Sequence, residues 1–317
     1  MYRPSTRRPR KSRIEGQRWL RSDGTPNFAD HVYRKEGDVV LIAKKDLKTA
    51  SPVTPILELA ETMSYNNIRS IPVVNSKLEL EGLVLSMNIV DYFGGGELYN
   101  IIVERHNGNI YSALKEPASS IMVQNPITIH ITSKITELLK IMVTEGVGVV
   151  PVLDLENKLY GIITERDLVE YFSERTETGV KVEDVMTREV VTIDVSANLR
   201  KAAETMVKLG FRRLPVIEDG RVAGIITSKD IVRFIGDHRV FEKAPTGKVE
   251  EALSTPVSEV MSKIAYTIEP QKDIAEAAKY MMEKGVSSLL VVKNEALQGI
   301  ITERDILYGM LVKAKAI

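Results

Sequence analysis

The 317-residue chain has no cysteine, which removes disulfides, thiolate nucleophiles and cysteine-based metal sites. A reducing cytoplasm is the expected setting. Only four histidines occur (His31, His106, His130 and His238), scattered without an HxxxH or HxH pair, so no metal site is expected. No run of about 18 apolar residues is present, and no membrane span is expected. The N-terminus lacks the apolar stretch of a secretory signal, and Pro4 and Pro9 would interrupt the amphipathic helix of a transit peptide. The phosphate loop G-x-x-x-x-G-K-[ST], the zincin motif H-E-x-x-H and the nucleophile elbow G-x-S-x-G are all missing. The triple glycine at 94–96 is followed by Glu97 rather than by lysine, so it reads as a flexible loop.

Charge is absent only in the sum. Residues 1–21 carry eight cations (Arg3, Arg7, Arg8, Arg10, Lys11, Arg13, Arg18 and Arg21) against Glu15 alone, a net +7. The rest of the chain is therefore −7. A cationic arm on an anionic body speaks of partners rather than of fold.

What is present is a repeat. Gly161-Ile-Ile-Thr-Glu-Arg-Asp167, Gly224-Ile-Ile-Thr-Ser-Lys-Asp230 and Gly299-Ile-Ile-Thr-Glu-Arg-Asp305 nearly coincide, and Gly82-Leu-Val-Leu-Ser-Met-Asn88 is a degenerate fourth copy. Upstream lie Ile71-Pro72-Val73-Val74, Val150-Pro151-Val152, Leu214-Pro215-Val216-Ile217 and Leu289-Leu290-Val291-Val292. The proline position precedes the glycine by ten, ten, nine and nine residues. Five residues before it stands Asn67, Gly146, Gly210 or Gly285.

The third copy shows the unit. Val190–Ile193 is a short β-rich run, and Leu199, Ala202, Ala203, Met206 and Leu209 recur at helical spacing. Gly210 suits the left-handed residue that ends a helix, a role Asn67 can also fill. Arg212–Ile217 and Arg221–Ile226 read as strands around an Asp219-Gly220 turn, with Ser228 placed to cap a helix over Lys229–Ile235. The unit is β-α-β-β-α, an α/β (α+β) pattern.

This order, with its G-h-h-T-x-x-D ending, resembles the cystathionine-β-synthase (CBS) domain family over about 38–93, 113–172, 180–236 and 254–311. The resemblance implies two Bateman modules, copies one with two and three with four, each with ligand clefts between its sheets. The expected divisions are a basic arm (1–37), CBS 1 and linker (38–112), CBS 2 (113–179), CBS 3 and linker (180–253) and CBS 4 (254–317). The joins at 94–112 and 237–253 read as loops with room for a short helix or strand. About 86 residues lie outside the four units, too few for a separate catalytic domain, so no enzymatic activity is expected.

The T-x-x-D ending suits a nucleotide clamp. A carboxylate accepts hydrogen bonds from vicinal ribose hydroxyls, a hydroxyl one turn earlier donates to phosphate, and the helix N-terminus favours anions. The resemblance carries adenine-nucleotide binding (AMP, ADP or ATP) to Thr164 and Asp167, Thr227 and Asp230, and Thr302 and Asp305. The same residues also suit plain N-capping. In copy one Leu85 and Asn88 replace the pair, and a site that is empty or binds something else is expected there. Arg212 and Arg213 enter a strand bordering the cleft, where guanidinium groups engage phosphate or simply line a solvated edge. Arg69 matches Arg212 in copy one, whereas Gly148 and Ser287 stand there in copies two and four. The module of copies three and four is thus the better equipped.

The arm mixes its cations with Tyr2 and Trp19, a composition suited to RNA: Arg3, Arg7, Arg8, Arg10, Lys11, Arg13, Arg18 and Arg21 for phosphates, Trp19 for stacking on a base. A ribosomal particle is the expected partner. The rival is an energy sensor similar to the γ subunit of AMP-activated kinase, acting on a protein partner, and a structural scaffold is the third reading. The helix faces carrying Met206, Leu209, Met281 and Met282 would pair two modules within one chain or, the favoured form, make a homodimer.

Overall fold

The computed structural model describes Phe28, residues 39–173 and residues 178–312. Within them the unit recurs four times, and the labels here number its strands and its two main helices. Copy one holds α1 (Ile56–Tyr65), β1 (Ser70–Val74), β2 (Leu80–Leu85) and α2 (Ser86–Val90). Copy two opens with β3 (Val123–Gln124) and β4 (Ile129–His130), then α3 (Ile135–Glu145), β5 (Val149–Leu153), β6 (Leu159–Thr164) and α4 (Glu165–Phe172). Copy three is β7 (Ile193–Asp194), α5 (Leu199–Leu209), β8 (Arg213–Glu218), β9 (Arg221–Thr227) and α6 (Ser228–Gly236). Copy four is β10 (Thr267–Ile268), α7 (Ile274–Lys284), β11 (Ser288–Lys293), β12 (Ala296–Thr302) and α8 (Glu303–Val312).

Among the described residues there are four three-stranded sheets, one per copy, the first completed by β3 from copy two. β4, β7 and β10 run parallel to β5, β8 and β11, because a helix connects each pair, whereas the hairpins β5–β6, β8–β9 and β11–β12 are antiparallel. In copy one a single parallel bridge, Ala50 to Val73, replaces the opening strand. The β-rich run at Val190–Ile193 contributes only Ile193 to a strand. α5 ends at Gly210 in the left-handed region (φ 75°), as its sequence implies, and Asn67 is left-handed too (φ 53°). The cap of α6 is Thr227 rather than Ser228, which is the first helical residue and buried.

Consecutive copies exchange their leading segments. Lys44 bridges to Ile162, and Val123 pairs with Leu83, so copies one and two are joined strand to strand. Thr187 bridges to Ile300 and Ser262 to Ile225, joining copies three and four. These are the two Bateman modules.

The helices then pair the other way. α1 packs on α6, and α4 on α8. One apolar core gathers copies one and three, with Ile56, Leu59, Met63, Met206, Ile231 and Phe234. The second gathers copies two and four, with Leu138, Met142, Leu168, Met281, Ile306 and Leu307. Each such side chain contributes about 1.5–3 kcal/mol on burial, so the modules are held face to face by the cores themselves. Met206 and Met281 are buried, and Leu209 and Met282 half-buried, within one chain. Of the two expected uses of those faces, the structure adopts the intrachain one; a homodimer would need another surface.

The joins hold short helices, for which the sequence left room. Tyr99–His106 and Ile110–Ala113 are helical in the first, Arg239–Glu242 and Val249–Leu253 in the second. The triple glycine is a close approach rather than a flexible loop. A Cβ on Gly95 would stand 2.8 Å from the Ala203 carbonyl oxygen and 2.5 Å from Val207 Cγ2 of α5.

Candidate functional site

The three T-x-x-D endings fold into one geometry. Each threonine closes a strand and caps the helix that follows, and the aspartate one turn on folds back over it. The backbone N–H of Thr164, Thr227 and Thr302 donates to Oδ2 of Asp167, Asp230 and Asp305 at 2.7, 2.8 and 2.9 Å. The threonine hydroxyls donate to the same Oδ2 at 2.6, 2.7 and 2.8 Å. The single hydroxyl proton here goes to the carboxylate one turn on. Capping and clamping coexist because a carboxylate has two oxygens. Oδ2 closes the helix, and Oδ1 is left for other partners.

Between the threonine and the aspartate lie two residues that decide how the modules meet. In copies two and four they are Glu-Arg, and the pairs cross. Arg166 of copy two donates to Glu303 of copy four at 2.5 Å, and Arg304 donates back to Glu165. Both glutamates are 2% exposed. Copies one and three reach the same carboxylates: Arg69 contacts Glu303 at 3.3 Å, and Arg212 contacts Glu165 at 3.1 Å. Burial pushes the Glu165 carboxyl upward, but Arg304 and Arg212 outweigh it and hold it at about 2. In copies one and three the glutamate position is serine, and Ser86 and Ser228 lie 2.9 Å apart, Oγ to Oγ, buried.

Beside this junction opens a cavity of about 660 Å³ lined by all four copies. That volume falls within the roughly 300–1,000 Å³ usual for small-molecule sites. Eight cations (Lys44, Lys48, Arg69, Arg166, Arg212, Arg213, Lys229 and Arg233) line it against three acids (Asp46, Asp167 and Asp230) among the described residues. Ile225, Ile264, Tyr266 and Leu290 supply apolar wall. The crowding of like charge shows in the proton affinities. Burial, then Arg69 and Arg166, bring the Lys229 ammonium down to about 8. Burial, then Arg212 and Arg69, push the Arg213 guanidinium down, and burial and Arg212 lower Arg69 despite Glu303. Burial raises Asp230, against the hydrogen bonds from Thr227. Each shift is one that an anion among the cations, or a hydroxyl donor at Asp230, would relieve.

Thr164, Asp167, Thr227, Asp230, Arg212 and Arg213 all line this cavity, so one space brings residues of both modules together. Thr302 and Asp305 form the same cap, with Asp305 buried, but do not line it. Arg212 and Arg213 are not a solvated strand edge: both are half-buried, and Arg213 also donates to the Ser287 carbonyl at 2.6 Å. In copy one, Asn88 Oδ1 accepts from the Leu85 N–H at 2.8 Å, so the cap survives without the carboxylate. The arm residues Arg3, Arg7, Arg8, Arg10, Lys11, Arg13, Arg18, Trp19 and Arg21 lie outside the described residues. Sequence reasoning missed Glu165, Glu303, Arg166, Arg304, Lys229 and Lys44. The first four had a visible signal, the identical Glu-Arg inside two of the three motifs.

Comparison with known proteins agrees with this architecture. A family model described as the CBS domain matches residues 37–95, 118–174, 182–237 and 257–311, more than two thirds of the chain. Protein MJ1225 of Methanocaldococcus jannaschii is 36% identical over 265 residues, covering 83% of this chain and 95% of that protein. Its crystal structure, described as that of a candidate archaeal homologue of γ-AMPK, matches with a TM-score of 0.81 over 86% of this chain and 99% of that one. A 33.4 kDa protein of Thermofilum pendens, named for its place in a ribosomal RNA operon, is 29% identical over 252 residues, 80% of this chain and 84% of that protein. The chain belongs to the CBS-domain family, with four copies arranged as two Bateman modules.

Proposed function

We propose that the protein is a non-enzymatic sensor of adenine nucleotides (AMP, ADP or ATP), comparable to the γ subunit of AMP-activated kinase. The observation that carries this reading is the meeting, in one cavity, of eight cations with the capped carboxylates Asp167 and Asp230. Phosphates would lie among Arg69, Arg166, Arg212, Arg213 and Lys229, where positive charge is crowded. A ribose hydroxyl would donate to Asp230 Oδ1, and the base would rest on Ile225, Ile264 and Tyr266. Several of these arginines also hold Glu165 and Glu303 across the module boundary. A phosphate competes with those carboxylates for the same guanidinium groups, and this couples ligand to the relative setting of the two modules. The γ-AMPK description of MJ1225 supports the reading. Calorimetric titration with AMP, ADP and ATP tests it; no heat and no thermal shift at millimolar nucleotide would overturn it.

A second reading adds an RNA contact by the arm, on a ribosomal particle in the cytoplasm. Its support is the +7 charge of residues 1–21 and the ribosomal RNA operon in the name of the Thermofilum relative. Deleting residues 1–21 should abolish co-sedimentation with ribosomes while leaving nucleotide binding intact. Unchanged sedimentation would remove the arm from the account and leave a sensor that acts on a protein partner.

A further inference from the structure

Each leading segment crosses the strand of its partner copy at one fixed place, opposite the residue after the motif glycine. Val123 stands opposite Leu83, Lys44 opposite Ile162, Ser262 opposite Ile225 and Thr187 opposite Ile300. Each crossing lies two residues before the cap position, so it sets one side chain near each cap. Three of the four are neutral. Lys44 alone is charged, and its Nζ lies 2.6 Å from Asp167 Oδ1, the oxygen that Thr164 leaves open. The carboxylate is 3% exposed and the lysine 58%: the acceptor is fixed and enclosed, while the cation reaches it on a flexible stem that also lines the cavity. At Asp230 the corresponding residue is Ser262, whose hydroxyl is turned to the Ile264 carbonyl at 3.1 Å. Among the described residues the cation paired with Asp230 Oδ1 there is Arg233, at 4.0 Å and beyond hydrogen-bond reach.

We infer that Lys44 is a tethered competitor for the Asp167 half of the cavity, so that nucleotide fills the Asp230 half first. This inference rests on the nucleotide-binding reading above. At 2.6 Å the ammonium and the carboxylate form an ion pair, a stronger attraction than a neutral ribose hydroxyl offers. It is also covalently held beside its acceptor, so it competes at high effective concentration. A ligand enters the Asp167 half only by drawing Lys44 away, and a phosphate is the group able to receive it. The two halves, alike in their T-x-x-D motifs, thereby respond over different ranges of nucleotide concentration.

The test exchanges the two companion residues in the full-length protein and follows AMP and ATP by calorimetry. Lys44→Ser installs the residue found opposite Ile225, and it should strengthen or reveal a second binding event about fivefold or more, the scale of a partly exposed ion pair. That gain should vanish in Lys44→Ser/Asp167→Asn. In the reciprocal variant, Ser262→Lys, the first event should weaken by a similar factor. The backbone bonds at the crossing, Lys44 N–H to Ile162 O and Ile162 N–H to Lys44 O, both 3.0 Å, do not involve the side chain, so an unchanged melting profile is the folding control. If the wild type binds and Lys44→Ser is indistinguishable from it, or weaker, the competitor is overturned and the sensor stands. Binding by Lys44→Ser alone would uphold the competitor and overturn nucleotide sensing by the native chain. Binding by neither would overturn both.

Discussion

Asp230 closes a helix with one carboxylate oxygen and offers the other to the cavity, and copy one shows what happens when only the first task is kept. There Asn88 accepts from the Leu85 N–H through its single oxygen, and the helix still begins. Asp230→Asn should therefore melt within a degree or two of wild type. Its nucleotide affinity should fall by about 1.5–3 kcal/mol, the worth of a hydrogen bond to a charged group. Equal affinities by calorimetry would remove Asp230 from the site. Glu165 supplies the complementary case, a carboxylate whose role is structural. Its folded pKa of about 2 lies below the ordinary 4.5 of a glutamate, so its stabilisation is fully present above pH 4.5 and disappears as pH falls towards 2. Glu165→Gln should unfold more easily at neutral pH, by about 2 kcal/mol because its arginine partners are partly exposed. Its stability should also fall less steeply than that of wild type between pH 4.5 and 2, as denaturant midpoints at each pH will show. At this scale the caps and Arg212–Arg213 were legible, because motif and position are local. Glu165, Glu303 and Lys44 were not, because their partners arrive from other copies and only docking brings them within reach.

Elements repeat this contrast. Hairpin, helix ending and strand order follow from Asp219-Gly220, Gly210 and alternating apolar runs, all of which act over a few residues. The cap of α6 was misplaced by one position, since Ser228 and Thr227 are equally good on paper and only the register of β9 chooses. The glycines at 94–96 were misread for a different reason: closeness to α5 leaves no trace in the residues around them. Gly236 at the end of α6 is a similar case. A Cβ there would stand 2.5 Å from the Ala60 carbonyl oxygen of α1, a backbone atom that cannot turn aside. Gly236→Ala should cost about 1–3 kcal/mol as the two helices are forced apart, despite the better helix propensity of alanine. A thermal melt at or above wild type would show that α1 and α6 slide without penalty.

In the whole molecule, the clustered cations tie ligand binding to pH. Lys229 has a folded pKa of about 8 against the ordinary 10.5 of a lysine, so its charged form is disfavoured in the protein without ligand. That cost is fully present below pH 8 and is relieved as pH rises from 8 towards 10.5. A bound phosphate favours the charged form and reverses the shift. Binding at pH 8 should thus take up a fraction of a proton, and affinity should decline between pH 7.5 and 9.5. Titrations in two buffers of different ionisation enthalpy measure the uptake, and Lys229→Gln should abolish it. Uptake unchanged in that variant would place the phosphate away from Lys229. Nucleotide should also raise the melting temperature of both modules together, since the cavity spans them.

The pairing of helices across modules, copy one with three and copy two with four, has a consequence for how the chain is made. Strand exchange joins neighbours in sequence, so each module can assemble its sheets as soon as its own residues exist. Ile56, Leu59 and Met63 share their core with Ile231 and Phe234, some 170 residues later. During vectorial synthesis the first module must therefore persist with an apolar face open until nearly three quarters of the polypeptide has emerged. Slow elongation prolongs that interval, and with it the chance that two nascent first modules find each other before either meets its own second half.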